Sequence, residues 1–310
     1  MSGGRASRIV GGAVARSVPL VAIVALAATA AACRRDRGTT GSADNPFGLI
    51  VSAAHATAAD AQALEQELAR RSGLTVRVRV HPTGAAAVKA AGMTTTDAGI
   101  LPLFEYLLAH QELGVRAGLQ LVREGGREFA GVLLVREDAP FRTLADLRGR
   151  TVAYVEGTST TGYLLPASAL AGAGVEVTAH LAGSHDAAVA ALRDGTVDAA
   201  ATFAAPRPGL RVLAPTGTVP NEPVFFAARV QPAARARVEA ALVELATTPD
   251  GQALLARIAG ITGFAPVDDE AYRAVHDLLR AIDRSVVDLV PGGRQLIEWR
   301  RVPASDLGPL

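Results

Sequence analysis

The chain has 310 residues, with 31 Lys+Arg against 30 Asp+Glu, 49% hydrophobic and 20% charged residues. That balance is too apolar and too weakly charged for a disordered chain, and near-neutrality removes the basic bias that nucleic-acid binders carry. One cysteine, Cys33, excludes an intramolecular disulfide framework and a cysteine-built zinc site; aromatics at 4% leave little material for stacking platforms.

The N-terminus carries an export address. Arg5, Arg8 and Arg16 precede an uncharged apolar run, Val18 to Ala32, and the first acid is Asp36. A basic segment, an apolar segment and small residues before a break predict a signal peptide over 1–32. The run is short for a spanning helix, which needs about 20 apolar residues. It ends Ala30-Ala31-Ala32-Cys33, which resembles a bacterial lipobox and marks Cys33 as a lipidation site; Ala30 stands where Leu is commonest. Loss of 1–32 leaves 28 basic and 30 acidic residues, so the positive excess belongs to targeting. Residues 33–45, polar and rich in Gly, Ser and Thr, predict a flexible tether.

Strands and helices then alternate. Phe47 to Ser52 is a buried-type strand. Ala58 to Ser72 carries Ala61, Leu64 and Leu68 at helical spacing, with Gly73 placed for a C-cap. Leu74 to Val80 alternates as a half-exposed strand, Ala85 to Ala91 is a short helix, Ala98 to Leu101 a strand, and Leu103 to His110 a helix. Leu119 to Arg123 and Phe129 to Arg136 are two further strands.

A second series begins with a short helix over Thr143–Gly149, then a strand from Thr151 to Val155 and a helix from Ser159 to Ala171. A strand over Thr178–Leu181, a helix over Ser184–Arg193 and a strand over Val197–Phe203 follow. Leu210 to Ala214 and Val224 to Val230 are extended, and Ala233–Thr247, Gly251–Ile258 and Asp269–Ile282 are helical. Such alternation predicts an α/β fold with mostly parallel sheets. Pro- and Gly-rich breaks near Glu137–Pro140 and Pro206–Pro220 divide it into two lobes: 46–136 and 220–310 form lobe 1, and 137–219 lobe 2. Open α/β sheets bind ligands at the carboxyl ends of their strands, and two lobes can face those ends onto one cleft.

Three stretches carry candidate chemistry. In Val155-Glu-Gly-Thr-Ser-Thr-Thr-Gly-Tyr163, hydroxyls of Ser159, Thr160 and Thr161 begin a helix. First-turn N–H groups lack intrahelical partners and the dipole there favours anions, so an oxyanion site and plain N-capping both fit. No Gly-Lys-Ser/Thr follows, so this is not a P-loop. In Leu181-Ala-Gly-Ser-His-Asp186, His185 lies in the first turn of a helix, either facing a ligand or solvated beside a Ser184 cap. In Ala98-Gly-Ile-Leu-Pro-Leu-Phe-Glu-Tyr106, Tyr106 can offer a hydroxyl and Glu105 a carboxylate to the cleft, or they can pack and solvate. There is no Gly-x-Ser-x-Gly elbow, no His-Glu-x-x-His and no paired-His pattern, so neither a catalytic nor a metal site is expected.

From about Phe47 to Ile282 the chain resembles the phosphate/phosphite/phosphonate-binding lipoproteins of ABC importers, which have the two-lobe type II periplasmic-binding fold. The resemblance rests on the order and spacing of Thr143-Leu-Ala-Asp-Leu-Arg-Gly-Arg-Thr-Val-Ala-Tyr154, Gly157-Thr-Ser-Thr-Thr-Gly-Tyr163 with Pro166, Gly183-Ser-His-Asp-Ala-Ala188 and Gly195-Thr-Val-Asp-Ala199, with Val219-Pro-Asn221 and Gly263-Phe264 further on. It implies that Ser159, Thr160, Thr161 and His185 hold a ligand oxyanion from the second lobe. It also implies a small anionic ligand, an ABC permease as partner, membrane attachment through the lipid, a monomer, and neither cofactor nor enzymatic activity. A ligand sensor for a membrane receptor kinase, or an enzyme like those forming the thiamin pyrimidine on this fold, are the alternatives. The first lobe departs from the family: Glu105 stands where a small hydroxyl is common, Tyr106 is kept, and Gly84-Ala85 lies where a tyrosine often stands. Either Glu105 points away, or it accepts from a protonated or amine-bearing ligand, or the ligand is not a simple phosphonate.

Overall fold

The computed structural model describes residues 39–124 and 126–301. The expected signal peptide and Cys33 lie outside the described residues, as do the other tether residues up to 38. The tether's described end is tied to the body. Gly41 is buried, its N–H donates to the Asn45 carbonyl (2.8 Å), and its carbonyl accepts from the Thr75 N–H (2.7 Å).

The first sheet has the order β11-β4-β10-β3-β1-β2, using β1 (Phe47–Ser52), β2 (Val76–His81), β3 (Ala98–Ile100), β4 (Arg116–Val122), β10 (Pro223–Phe226) and β11 (Gly263–Pro266). β1 is buried along its whole length and pairs in parallel with β2 and β3, which is why it is uninterruptedly apolar. Helix α1 (Ala58–Ser72) starts on a Thr57/Asp60 capping box and stops at Gly73, whose φ of 62° suits a residue without Cβ. Its Leu64 and Leu68 are fully buried, each contributing about 2 kcal/mol. Helices α2 (Gly84–Ala91) and α3 (Leu103–Leu113) complete the first βα series.

The second sheet has the order β7-β6-β8-β5-β9, from β5 (Glu128–Arg136), β6 (Thr151–Tyr154), β7 (Thr178–Leu181), β8 (Ala199–Phe203) and β9 (Leu210–Pro220). Helix α4 (Leu165–Gly172) follows β6 and α5 (His185–Arg193) follows β7. A Thr143/Asp146 capping box opens a 3₁₀ turn (Leu144–Leu147) before β6, and the Asp198 carboxylate accepts from the Thr151 N–H (3.0 Å), tying the loop before β8 to the start of β6.

Two expectations are corrected. The sheets are mixed: of the nine described strand pairings four are parallel and five antiparallel, because β5 and β10, which arrive from the other lobe, and the late strand β11 run against the βα series. And β5, grouped with the first lobe, is paired between β8 and β9 of the second sheet. The chain therefore crosses between lobes just after β4, not at Glu137–Pro140, which only marks the exit from β5; it crosses back at Asn221.

After β10 come α6 (Pro232–Leu245), α7 (Pro249–Arg257), β11, α8 (Arg273–Ala281), α9 (Val286–Leu289) and α10 (Gly293–Arg301). Leu164 and Leu165 of the second lobe share one apolar cluster with Tyr272, Val275 and Leu279, so the C-terminal segment packs on both lobes. No described helix is long and apolar enough to cross a membrane.

Candidate functional site

A cavity of about 350 Å³ opens between the two lobes. From the first lobe it is lined by Pro102, Leu103, Phe104 and Glu105, which follow the carboxyl end of β3. The second lobe contributes Glu156, Thr158, Ser159, Thr160 and Thr161 after β6, and His185 after β7. Thus three strand ends supply the wall, as an open α/β sheet requires.

The turn after β6 is shaped by its own sequence. Ser159 caps it, its Oγ accepting from the Gly162 N–H (3.1 Å) and its carbonyl from the Tyr163 and Leu164 N–H groups (3.0 Å each). The double acceptance is the mark of the π-helical turn Thr160–Leu164 that leads into α4. Gly162 is needed for space: a Cβ there would lie 2.3 Å from Val155 Cγ2. So Ser159 is a cap that also lines the cavity. No described residue hydrogen-bonds the hydroxyls of Thr160 or Thr161, which leaves them available to a ligand.

His185 opens α5, which Ser184 caps through the Ala187 N–H (3.1 Å). Its Nδ1 lies within hydrogen-bond distance of Thr202 Oγ1 (3.0 Å), an oxygen that accepts from Arg207 (3.3 Å), and its ring meets Phe203 edge-on at 5.0 Å. Nδ1 being taken, Nε2 is the nitrogen left for a ligand. Burial, and then the Arg207 charge, hold the imidazole below its ordinary pKa, and the neutral ring donates from Nε2 in the tautomer whose Nδ1 accepts from the Thr202 hydroxyl.

Glu105 faces the cavity, which removes the first of the three options its sequence position left open. It is in the first turn of α3, where Pro102 at the N-cap makes no side-chain capping hydrogen bond. Burial pushes its carboxyl up; its own backbone N–H pulls it back, and the Glu222 charge pushes it further up. No described Lys, Arg or His pairs with it. Its Oε1 takes the space over Gly84, where a Cβ would come within 2.3 Å. Glu222, also on the wall, is committed to Arg123 (2.6 Å), with His55 Nε2 at 3.9 Å. Glu105 is therefore the wall's desolvated carboxylate without a basic partner among the described residues, Glu156 being exposed to water. Facing a ligand anion at about 5 Å it would cost roughly 3 kcal/mol per unit of ligand charge, at an effective dielectric near 20.

Tyr106 is corrected. One step along the helix from Glu105, it turns inward: fully buried, its hydroxyl donates to Asp269 Oδ1 (2.7 Å) and its ring packs edge-on against Tyr272. It borders a separate cavity of about 330 Å³ with His110 and Arg116. Sequence reasoning missed Phe129, Glu222, Leu289 and Pro291 on the wall. Phe129 and Glu222 sit beside the two crossings, and Leu289 and Pro291 follow α8; no local motif marks any of them.

This is a two-lobed α/β binding protein of the type II periplasmic-binding class, with polar groups from both lobes gathered on one cleft. The chain belongs to the family of periplasmic substrate-binding proteins of ABC phosphonate transporters, whose model matches residues 47–272. It is an ABC-transporter solute-binding protein, extracytoplasmic, with a small ligand and a membrane permease as its partners. No curated protein sequence matches the chain. Among solved structures it resembles XAC2383 of Xanthomonas citri bound to ATP, at 22% identity over 79% of this chain and 99% of that one, TM-score 0.63. PhnD1 of Prochlorococcus marinus in complex with methylphosphonate is 17% identical over 78% of this chain and 100% of that one, TM-score 0.58. A binding protein component of an ABC phosphonate transporter from Pseudomonas aeruginosa is 15% identical over 82% and 94%, TM-score 0.54. These identities speak for the fold.

Proposed function

We propose that this protein captures a small phosphorus oxyanion outside the cytoplasm and hands it to its permease, with the oxyanion held by Thr160, Thr161, Ser159 and His185. The observation that carries this is convergence: hydroxyls after β6 and an imidazole after β7 meet on one cavity, at a helix start where N–H groups and the dipole favour negative charge. The methylphosphonate seen in the Prochlorococcus protein supports the ligand class. The site performs no chemistry in this reading; it binds, and the lobes (46–127 with 221–310, and 128–220) close by bending at the two crossings. The protein acts as a monomer.

Isothermal titration of the folded body with phosphate, phosphite and methylphosphonate tests the ligand. At least one is expected to bind; binding of none by the folded protein would remove the oxyanion assignment. We further propose that cleavage before Cys33 leaves that residue lipidated and the protein anchored to the membrane. The N-terminal peptide of membrane-extracted protein is expected to carry a lipid mass on Cys33, and Cys33→Ala to be released in soluble form; an unmodified Cys33 in membrane-bound protein would reject the anchor.

A further inference from the structure

A second opening lies on the first lobe, away from the cleft. A groove of about 270 Å³ runs between α2, α3 and α10, walled by Val88, Met93, Leu108, Leu113, Leu296 and Ile297. One end of it lies at the sheet edge where the strands begin. A Cβ on Gly292 would lie 3.2 Å from that of Ala85, so α10 starts beside the start of α2 and reaches Gly92 and Met93 past its end. Met93 is 48% exposed there, on a turn that Arg229 holds by donating to the Met93 carbonyl (3.2 Å) and to Asp97 (3.0 Å). Asp97 and Gly48 exchange hydrogen bonds (2.7 and 2.9 Å), and the Gly41 carbonyl accepts from the Thr75 N–H just before β2. The chain thus enters the body on the same edge. Eight residues of chain lead from Cys33 to Gly41, a reach of at most about 29 Å.

The charges at this edge suit a negative surface. The exported body carries more acids than bases, yet α10 reads Gly293-Arg-Gln-Leu-Ile-Glu-Trp-Arg-Arg301 and the segment after Cys33 reads Arg34-Arg-Asp-Arg37. Arg294 is paired with Asp288, and Arg300 and Arg301 end the helix. Basic residues, a tryptophan and aliphatic side chains on one short helix are the composition of an interfacial helix. A basic segment beside an anchor is drawn to anionic lipid.

We propose that this edge of the first lobe is a membrane-contact surface: α10 and the Met93 turn rest on an anionic bilayer, and the groove takes up acyl chain. The cleft, at the opposite ends of the same strands, then opens to solution. The contact belongs to the body and goes beyond the lipid on Cys33.

The Cys33→Ala protein, which has no lipid of its own, is sedimented with vesicles of phosphatidylcholine alone and of phosphatidylcholine mixed equally with phosphatidylglycerol. Binding to the anionic vesicles is expected to be at least about tenfold tighter and to weaken as salt is raised. Trp299 is the chain's single tryptophan, so its emission reports on α10 and should shift to the blue on binding. Arg300→Gln with Arg301→Gln, and separately Met93→Asp, should each weaken binding about tenfold at an unchanged melting temperature. Equal binding to both vesicles, or binding to neither, overturns the proposal. So does anionic binding that survives all three substitutions, which would assign it to the tether arginines. A dimer in analytical ultracentrifugation that Met93→Asp returns to monomer, without vesicle binding, would give the groove to a second copy and overturn it too. An unmodified Cys33 leaves the contact standing, and loss of the contact leaves the anchor standing.

Discussion

Thr160→Val is expected to weaken methylphosphonate binding by about ten- to hundredfold while leaving the melting temperature where it was. The substitution keeps the β-branched shape, so the helix start and its packing are preserved. What is lost is one hydroxyl on the cavity wall that no described residue uses. A hydrogen bond to a charged group is worth about 1.5–3 kcal/mol, which is that range of affinity. The separation of the two readouts gives the test its force. A hydroxyl engaged only in holding the turn would cost stability and spare affinity. Titration and thermal melting on the same preparation decide it: affinity within threefold of wild type would take Thr160 out of the site.

Asn221→Ala is expected to show the opposite signature, a loss of about 2–4 kcal/mol in stability. Asn221 stands where the chain returns from the second sheet to the first, and it is 1% exposed. Its Nδ2 donates to the carbonyls of Leu121 (3.0 Å) and Gly126 (3.1 Å), its backbone N–H donates to the Arg127 carbonyl (2.9 Å), and its own carbonyl accepts from the Tyr272 hydroxyl (2.9 Å). One residue therefore stitches both crossings to the C-terminal segment. Alanine keeps the backbone bonds but removes both amide donations, leaving the Gly126 carbonyl with the Arg123 N–H alone, and each lost bond with the packing around it is worth about 1–2 kcal/mol. For a body of this size that corresponds to a fall in melting temperature of roughly 5–15 °C. A melt within about 2 °C of wild type would show that water or a neighbour replaces the amide and that the crossing is not held there.

The family-like segments divide into two kinds once the contacts are known. Thr143-Leu-Ala-Asp146 is a capping box and Asp198 of Gly195–Ala199 anchors Thr151, so these recur for architecture. Ser159, Thr160, Thr161 and His185 line the cleft, where the proposed binding needs them. Spacing alone could not sort them, because a Ser or Thr before a helix has the same appearance whether its hydroxyl caps or binds. Ser159 does the first, Thr160 and Thr161 are free for the second.

The elements themselves were legible because their causes are local. Helix α1 was bounded by its Gly73 cap and the spacing of Leu64 and Leu68, and the strand–helix alternation named the α/β class. Four things depended on distant parts of the chain. The sheet to which β5 belongs was decided by its pairing with β9, some 80 residues later, because an apolar strand satisfies either sheet equally. The orientation of Tyr106 was decided by Asp269, which offers it an acceptor inside the fold. The wall residues Glu222, Leu289 and Pro291 came from segments without any motif, brought there by packing of the C-terminal region. The place of Glu105 was decided by an empty position at Gly84, 21 residues away and on another helix. Sequence by itself determined the repertoire, a two-lobed binder with hydroxyls and one histidine at helix starts. Only the tertiary structure decided which groups face one another across the cleft, because charge complementarity and steric exclusion act between residues in space and leave no periodic trace along the chain.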